Sequence, residues 1–243
     1  MKDNPIYSIT KRNVRQYQQL LTFYGRKTKK LLNKYKATPH NEAFLRKWLF
    51  KIASDISKET QRLLVEAVDE VIYKTLTTYN NLHKGERLTK ERLDELQLAI
   101  RKEFLLSEYK GATVDQRISQ AERRLKVNLQ RELSNLVTDY ATGSYGIENL
   151  INSITGRDYK QGGTAYRWNS RLVMSEMYRA YQFTGKVVLA ELGVEAVEWV
   201  NSPRHEPKES IVDEYAEKAY SPSELPEYPY PCNDSYFLPI YNK

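Results

Sequence analysis

Ten Lys and Arg residues stand between Met1 and Lys36, and Asp3 is the one acid among them. Lys11, Arg12, Arg15, Arg26, Lys27, Lys29, Lys30, Lys34 and Lys36 form the dense part of this arm. Cations at such density neutralise phosphates and release condensed counterions, an interaction blind to sequence and sensitive to salt. Arg12, Arg15, Arg26, Lys27, Lys29 and Lys30 are the candidate DNA contacts; an acidic protein face would suit them equally, and a solvated helix face is the plainer alternative. Tyr17, Tyr24 and Tyr35 are interleaved with them. Aromatic rings there can stack on bases, but at helical spacing burial is the favoured reading.

Smaller constellations lie further on. Arg171, Ser175 and Glu176 share one helical segment, where a one-turn spacing suits a local hydrogen bond or ion pair at a packing surface. His205, Asp213 and Cys232 are acceptable zinc ligand types, but no Cys-x-x-Cys or His-x-x-x-His pair fixes their geometry. A structural role for His205 is the favoured reading, and no metal or cofactor is expected. Glu108-Tyr109-Lys110 resembles half of a nuclease core, yet it reads as a helix end without a partner acid. Trp199 is expected to anchor a C-terminal module onto the helix before it rather than to serve as an exposed hot spot. Pro226, Pro229 and Pro231 favour polyproline geometry, which a neighbouring subunit could grip; a surface-hugging tail is the blander reading.

The elements that must hold these residues follow from composition and period. The chain has 243 residues, 40% hydrophobic and 28% charged, ordinary proportions for a globular protein. No apolar run approaches the roughly 18 residues a membrane span requires, and the first residues lack the apolar core of a secretion signal. No membrane partner is expected. The single cysteine excludes an internal disulfide. Net charge is +7, and it is uneven: residues 1–110 hold 23 Lys/Arg against 13 Asp/Glu, whereas residues 111–243 hold 15 against 18.

Apolar residues at three- and four-residue steps predict a basic amphipathic helix from about Thr10 to Tyr35 and a second from about Asn41 to Tyr79. Asn80-Asn81 and Gly85 mark a turn, and Thr89 with Arg92 opens a helix running towards Gly111. Thr113 and Gln116 have capping-box spacing before a leucine-rich helix that reaches Tyr140. A short helix over Ile147 to Ile154 and a long one from about Tyr166 to Leu192 follow. Seven of the nine prolines lie beyond Val200, and Val194, Val197, Trp199 and Val200 read as a strand. The expected fold is mainly α: an elongated N-terminal helical region with a small α+β, Pro-rich C-terminal module. Its divisions are a basic helical region 1–111, long helices 112–192, and the module 193–243.

From about Thr113 onward the order of features resembles the minor head, or head morphogenesis, proteins of tailed phages, the family typified by the F protein of phage Mu. The features are the leucine-rich helix and its Gly143 and Gly146 break, then Arg171, Ser175 and Glu176, then Gly193-Val194 and Trp199. His205, Pro207, Asp213, Ala216, Tyr220-Ser221-Pro222, Leu225-Pro226, Pro231-Cys232 and Leu238-Pro239-Ile240 complete the series. Two places depart from it: Val212 stands where many members have Cys, and Asn233, Asp234 and Ser235 follow Cys232 in place of a Cys-x-Cys. The resemblance implies a non-enzymatic minor capsid protein in several copies per virion, inside the head near the portal vertex and in the host cytoplasm during assembly. Its partners would be the portal protein or the inner capsid surface, with Arg171, Glu176, Trp199 and His205 serving docking or module integrity. Non-specific double-stranded DNA would meet the basic arm during packaging or ejection. The rivals are an enzyme delivered with the genome, an ADP-ribosyltransferase or a nuclease, and a DNA-binding helical protein unrelated to virions. ADP-ribosyltransferases draw Arg, Ser and Glu from separate strands, which the shared helix of Arg171, Ser175 and Glu176 does not suit.

Overall fold

Helices occupy most of the chain because glycine and proline are scarce before Val200 and apolar residues recur with the helical period. The computed structural model describes residues 4–143, 146–156, 171–201, 215–216, 218–226 and 235–241. Their order is α1 (Tyr7–Lys34), α2 (Glu42–Leu82), α3 (Lys90–Leu106), α4 (Val114–Thr142), α5 (Glu148–Thr155) and α6 (Arg171–Glu191), then β1 (Ala196–Asn201), β2 (Ala219–Tyr220) and β3 (Ser235–Ile240). The expected mainly α architecture with a small C-terminal sheet is what the chain adopts.

Packing groups the chain into two units that are not consecutive stretches: Asn13–Leu63 with Tyr109–Val173, and Met1–Arg12 with Leu64–Glu108 and Met174–Lys243. The boundaries fall inside α1, α2 and α6, so the grouping differs from the serial division at 111 and 192. Periodicity along a helix marks which face is apolar; it does not say which other helix covers each end.

The first, all-helical unit is held by one apolar core. Tyr17, Leu21, Tyr24 and Leu32 of α1 meet Leu45, Leu49, Ile52 and Ile56 of α2, Leu125, Leu129, Leu133 and Leu136 of α4, Leu150 and Ile154 of α5, and Ile147 just before it. Each of the larger side chains contributes about 1.5–3 kcal/mol on burial, before ordering entropy is charged against it. The capping box forms as its spacing predicts: Thr113 Oγ1 accepts the Gln116 amide, and the Gln116 side chain accepts the Thr113 amide. Gly143 closes α4 with φ 78°, a left-handed conformation that glycine adopts without a Cβ penalty.

In the second unit α1 starts at Tyr7, three residues earlier than the periodicity indicates, because Asn4 accepts the Ile6 amide and anchors the first turn. α2 runs through the Asn80-Asn81 pair to Leu82. Asn80 is helical, and its side chain instead stitches the returning strand of chain, donating to the Leu88 carbonyl and accepting the Leu88 amide. α3 begins after Thr89, which caps the Arg92 amide, and stops at Leu106 rather than near Gly111. Between α3 and α4, Lys110 and Gly111 both have positive φ, and Tyr109 and Ala112 exchange backbone hydrogen bonds across a tight turn.

The sheet has the order β2-β1-β3, antiparallel throughout, with Trp199 opposite Phe237 and Val197 opposite both Tyr220 and Pro239. β3 is an edge strand whose outer rim is blunted in two ways. Pro239 has no amide to offer, and the Phe237 amide donates to the Tyr181 hydroxyl. Tyr79 donates to the Phe237 carbonyl and lies 2.7 Å from the Tyr181 hydroxyl. With Tyr181 donating to Tyr79, the three groups close a ring in which every donor is used. Burial pushes the Tyr181 phenol well above the ordinary tyrosine value, against the lowering effect of Tyr79 and the Phe237 backbone.

Candidate nucleic-acid interface

At 100° per residue, Tyr17, Leu21, Tyr24 and Leu32 gather on one side of α1, and Arg15, Arg26, Lys29 and Lys30 fall within about 100° of one another on the opposite side. The first four are buried and the second four exposed. Arg15 to Lys30 covers about 22 Å of helix axis at 1.5 Å per residue. Among the described residues, none of these four cations has a carboxylate partner, a hydrogen-bond acceptor or a ring beneath it. Other arginines are engaged: Arg46 with Glu42, Arg62 with Glu59, Arg101 with Asp69, Arg92 with Glu95 and Glu191.

The six cations chosen from sequence therefore divide. Arg12 is in the second unit and pairs with Glu70, a residue 58 positions away, which removes it from the set of uncompensated charges. Lys27 is exposed, with its ammonium 5.9 Å from the centre of the Tyr24 ring. Burial, and then the carboxylates of Asp55 and Glu59, push the Tyr24 phenol above its ordinary value.

The tyrosines in the arm are packing residues. Tyr17 and Tyr24 are buried in the helical core, and Tyr35 is half-buried, edge-on to Phe44 at 5.2 Å. Phe23 is the aromatic the sequence reading passed over: it is 59% exposed and, with Arg26, Lys27, Lys29, Lys30 and Asn33, lines a shallow hollow along α1. The signal was present, since Arg12, Phe23 and Lys34 recur at 11-residue intervals, three helical turns apart. Beside the stripe, Gly25, Arg26 and Lys29 of α1 line a groove with Ile147 and with Glu148, Ile151 and Thr155 of α5.

The remaining candidates sit elsewhere. Glu176 is 1% exposed and pairs with Arg179 at 3.0 Å. Arg179 also donates to Ser107 Oγ and the Phe104 carbonyl and lies 4.0 Å over the Phe104 ring, fastening α6 to the end of α3. This buried ion pair sits where α6 packs against the end of α3. The side chain of Arg171 lies outside the described residues, as do His205, Asp213 and Cys232. Trp199 is fully buried, edge-on to Phe237 and Tyr215 at 5.2 and 5.3 Å, while Phe237 stacks on Tyr181 of α6 at 5.6 Å. The sheet is thereby fixed to the helix before it. Glu108 precedes a tight turn and Lys110 lies within it, over the Tyr109 ring.

Of the proline run, Pro229 and Pro231 lie outside the described residues, and the Pro226 carbonyl accepts from the Gln182 side-chain Nε2. Among the described residues no group of three His, Cys, Asp or Glu side chains could hold a metal ion, and no helix is long and apolar enough to cross a membrane. Comparison with protein families, with characterised proteins and with solved structures finds no match to the chain.

Proposed function

We propose that the chain is a non-enzymatic minor structural protein of a tailed-phage head, placed near the portal, which contacts duplex DNA through the basic face of α1. The observation that carries the DNA contact is the set Arg15, Arg26, Lys29 and Lys30, exposed on one face and without an acidic partner among the described residues. Like charges at three- and four-residue steps repel one another along a helix, so a polyanion gains what the protein leaves uncompensated. The placement in a phage head rests on the ordered series of residues from Thr113 to Ile240 that resembles minor head proteins. The sheet-bearing unit, closed around Trp199, is the docking piece for the portal or inner capsid wall, and it works by shape rather than chemistry.

Fluorescence anisotropy with a random-sequence 30-base-pair duplex tests the DNA contact. The wild-type chain should bind at low salt, and log affinity should fall linearly with log salt, by about 0.9 for each phosphate neutralised. Changing Arg15, Arg26, Lys29 and Lys30 together to Gln, which keeps helix propensity, should weaken binding and reduce that slope by about 2–4. Absence of binding by the wild-type chain, or an unchanged slope in the variant, would end the DNA reading. Purified virions that lack the polypeptide would end the structural one.

A further inference from the structure

From the exposed Phe23 ring amid Arg26, Lys27, Lys29 and Lys30, we infer that the α1 face takes single-stranded nucleic acid in preference to duplex, with Phe23 stacking on an unpaired base while the cations hold the flanking phosphates. This deepens the DNA reading above and rests on it. Phe23 is 59% exposed, it lines a shallow hollow with Arg26, Lys27, Lys29, Lys30 and Asn33, and its aromatic neighbour among the described residues is Tyr24, edge-on at 5.2 Å. A ring held among cations is a combination that phosphate binding alone does not call for. Cations suffice for a duplex backbone, because paired bases are already stacked on each other and present only their edges. An unpaired base offers a π-face, and stacking it on an aromatic ring is tolerant of sequence, as a face that reads only charge and flatness would be.

Charge complementarity favours nucleic acid over the other anionic surface a basic helix can meet, a lipid headgroup layer. Membrane binding by an amphipathic helix scales with the apolar area it inserts. Here Tyr17, Leu21, Tyr24 and Leu32 are already buried in the protein core, which leaves Phe23 as the one large apolar side chain of α1 free to insert among the described residues. One ring is a weak lipid anchor but a sufficient base platform.

The full-length chain is titrated with a 20-nucleotide oligothymidylate, with a 20-base-pair duplex, and with vesicles rich in phosphatidylserine. The wild-type chain should hold the single strand several-fold more tightly than the duplex at equal salt. Phe23→Ala should weaken single-strand binding about tenfold, the loss of one base–aromatic stack, and leave duplex binding within twofold. Phe23→Trp should restore the preference. Since the side chain is exposed and Ala is the better helix former, the variant keeps its fold, checked by circular dichroism. Duplex and single strand weakened equally by Phe23→Ala, or neither weakened, would overturn the inference while leaving the duplex reading standing. Failure of the wild-type chain to bind either nucleic acid would overturn both. Vesicle binding that depends on Phe23, with the oligonucleotide indifferent to it, would replace the base platform by a lipid contact.

Discussion

Replacing Gly25 by Ala sets two effects of known size against each other. Alanine in a helix interior is favoured over glycine by about 1 kcal/mol. A Cβ on Gly25, however, would stand 2.2 Å from Cγ2 of Thr155, where α1 crosses α5. Thr155 cannot simply turn away, since its hydroxyl donates to the Ile151 carbonyl and holds the rotamer. The methyl group must be displaced by more than an ångström, and overpacking of that kind costs about 1–3 kcal/mol. The single variant should therefore be less stable than wild type by about 0–2 kcal/mol. Thr155→Ser deletes Cγ2 but keeps the hydroxyl, at a cost of about 0.8 kcal/mol or less for one partly buried methyl. In the double variant the new Cβ would meet Thr155's own Cβ position at 3.7 Å and Ile151 Cγ2 at 3.8 Å, ordinary contacts. It should recover the helix-propensity gain and equal or exceed wild type, so the coupling between the two changes should be about 1–3 kcal/mol in favour of the pair. Urea unfolding of the four proteins, compared at constant slope, measures this directly. Gly25→Ala alone raising the midpoint, or the two changes adding without coupling, would show that the helices are not in contact at this crossing.

Two further outcomes follow from the second unit. Tyr181→Phe leaves the Phe237 amide without its acceptor and should cost about 1–3 kcal/mol at neutral pH. Because burial raises the Tyr181 phenol above its unfolded value near 10, its contribution is fully present below that pH and is lost as pH rises above it. The stability difference between wild type and Tyr181→Phe should therefore shrink in the alkaline range, and a constant gap up to pH 11.5 or so would count against the buried hydroxyl ring. Glu176→Ala takes the carboxylate from beside the Arg179 guanidinium in a largely buried site and should cost about 3 kcal/mol or more, part of it regained by adding Arg179→Met. A Glu176→Ala protein within about 1 kcal/mol of wild type would show that the pair is solvated.

Local chemistry was the legible part of this chain. Thr113 with Gln116 and Thr89 with Arg92 carry their caps in four residues, and the leucines of α4 carry their core face in three- and four-residue steps. Trp199 could be read as an anchor because a residue of that size next to a strand signal is costly to leave in water. What involved distant partners stayed hidden. Glu70 takes Arg12 from 58 residues away, and the Tyr79, Tyr181 and Phe237 ring joins residues separated by up to 158 positions. The pairing of Glu176 with Arg179 was half legible: three residues on is a helical neighbour, but the Phe104 ring beneath the guanidinium belongs to another helix. In the basic arm, sequence marked the cations but not which were already spent, and it drew attention to the tyrosines that turn inward instead of to Phe23.

The division of α1 into a packed side and a charged side also implies that the protein carries its binding face at some cost to its stability. Arg26 stands three residues before Lys29 and four before Lys30, and Lys30 stands three after Lys27 and four before Lys34, so four like-charged helical pairs cluster within nine residues. Each such pair opposes the helix by a few tenths of a kcal/mol at low ionic strength. The opposite face offsets this, since Tyr24 and Leu32 are seated in the core irrespective of salt. The Gln variant of Arg15, Arg26, Lys29 and Lys30 should then unfold at a higher urea concentration than wild type in low salt, and the advantage should fade as salt screens the repulsion in wild type. Added duplex should raise the wild-type midpoint by more than it raises the variant's. A variant less stable than wild type at low salt would mean that these side chains are held by contacts within the protein, and the stripe would then have no surplus charge to offer a polyanion.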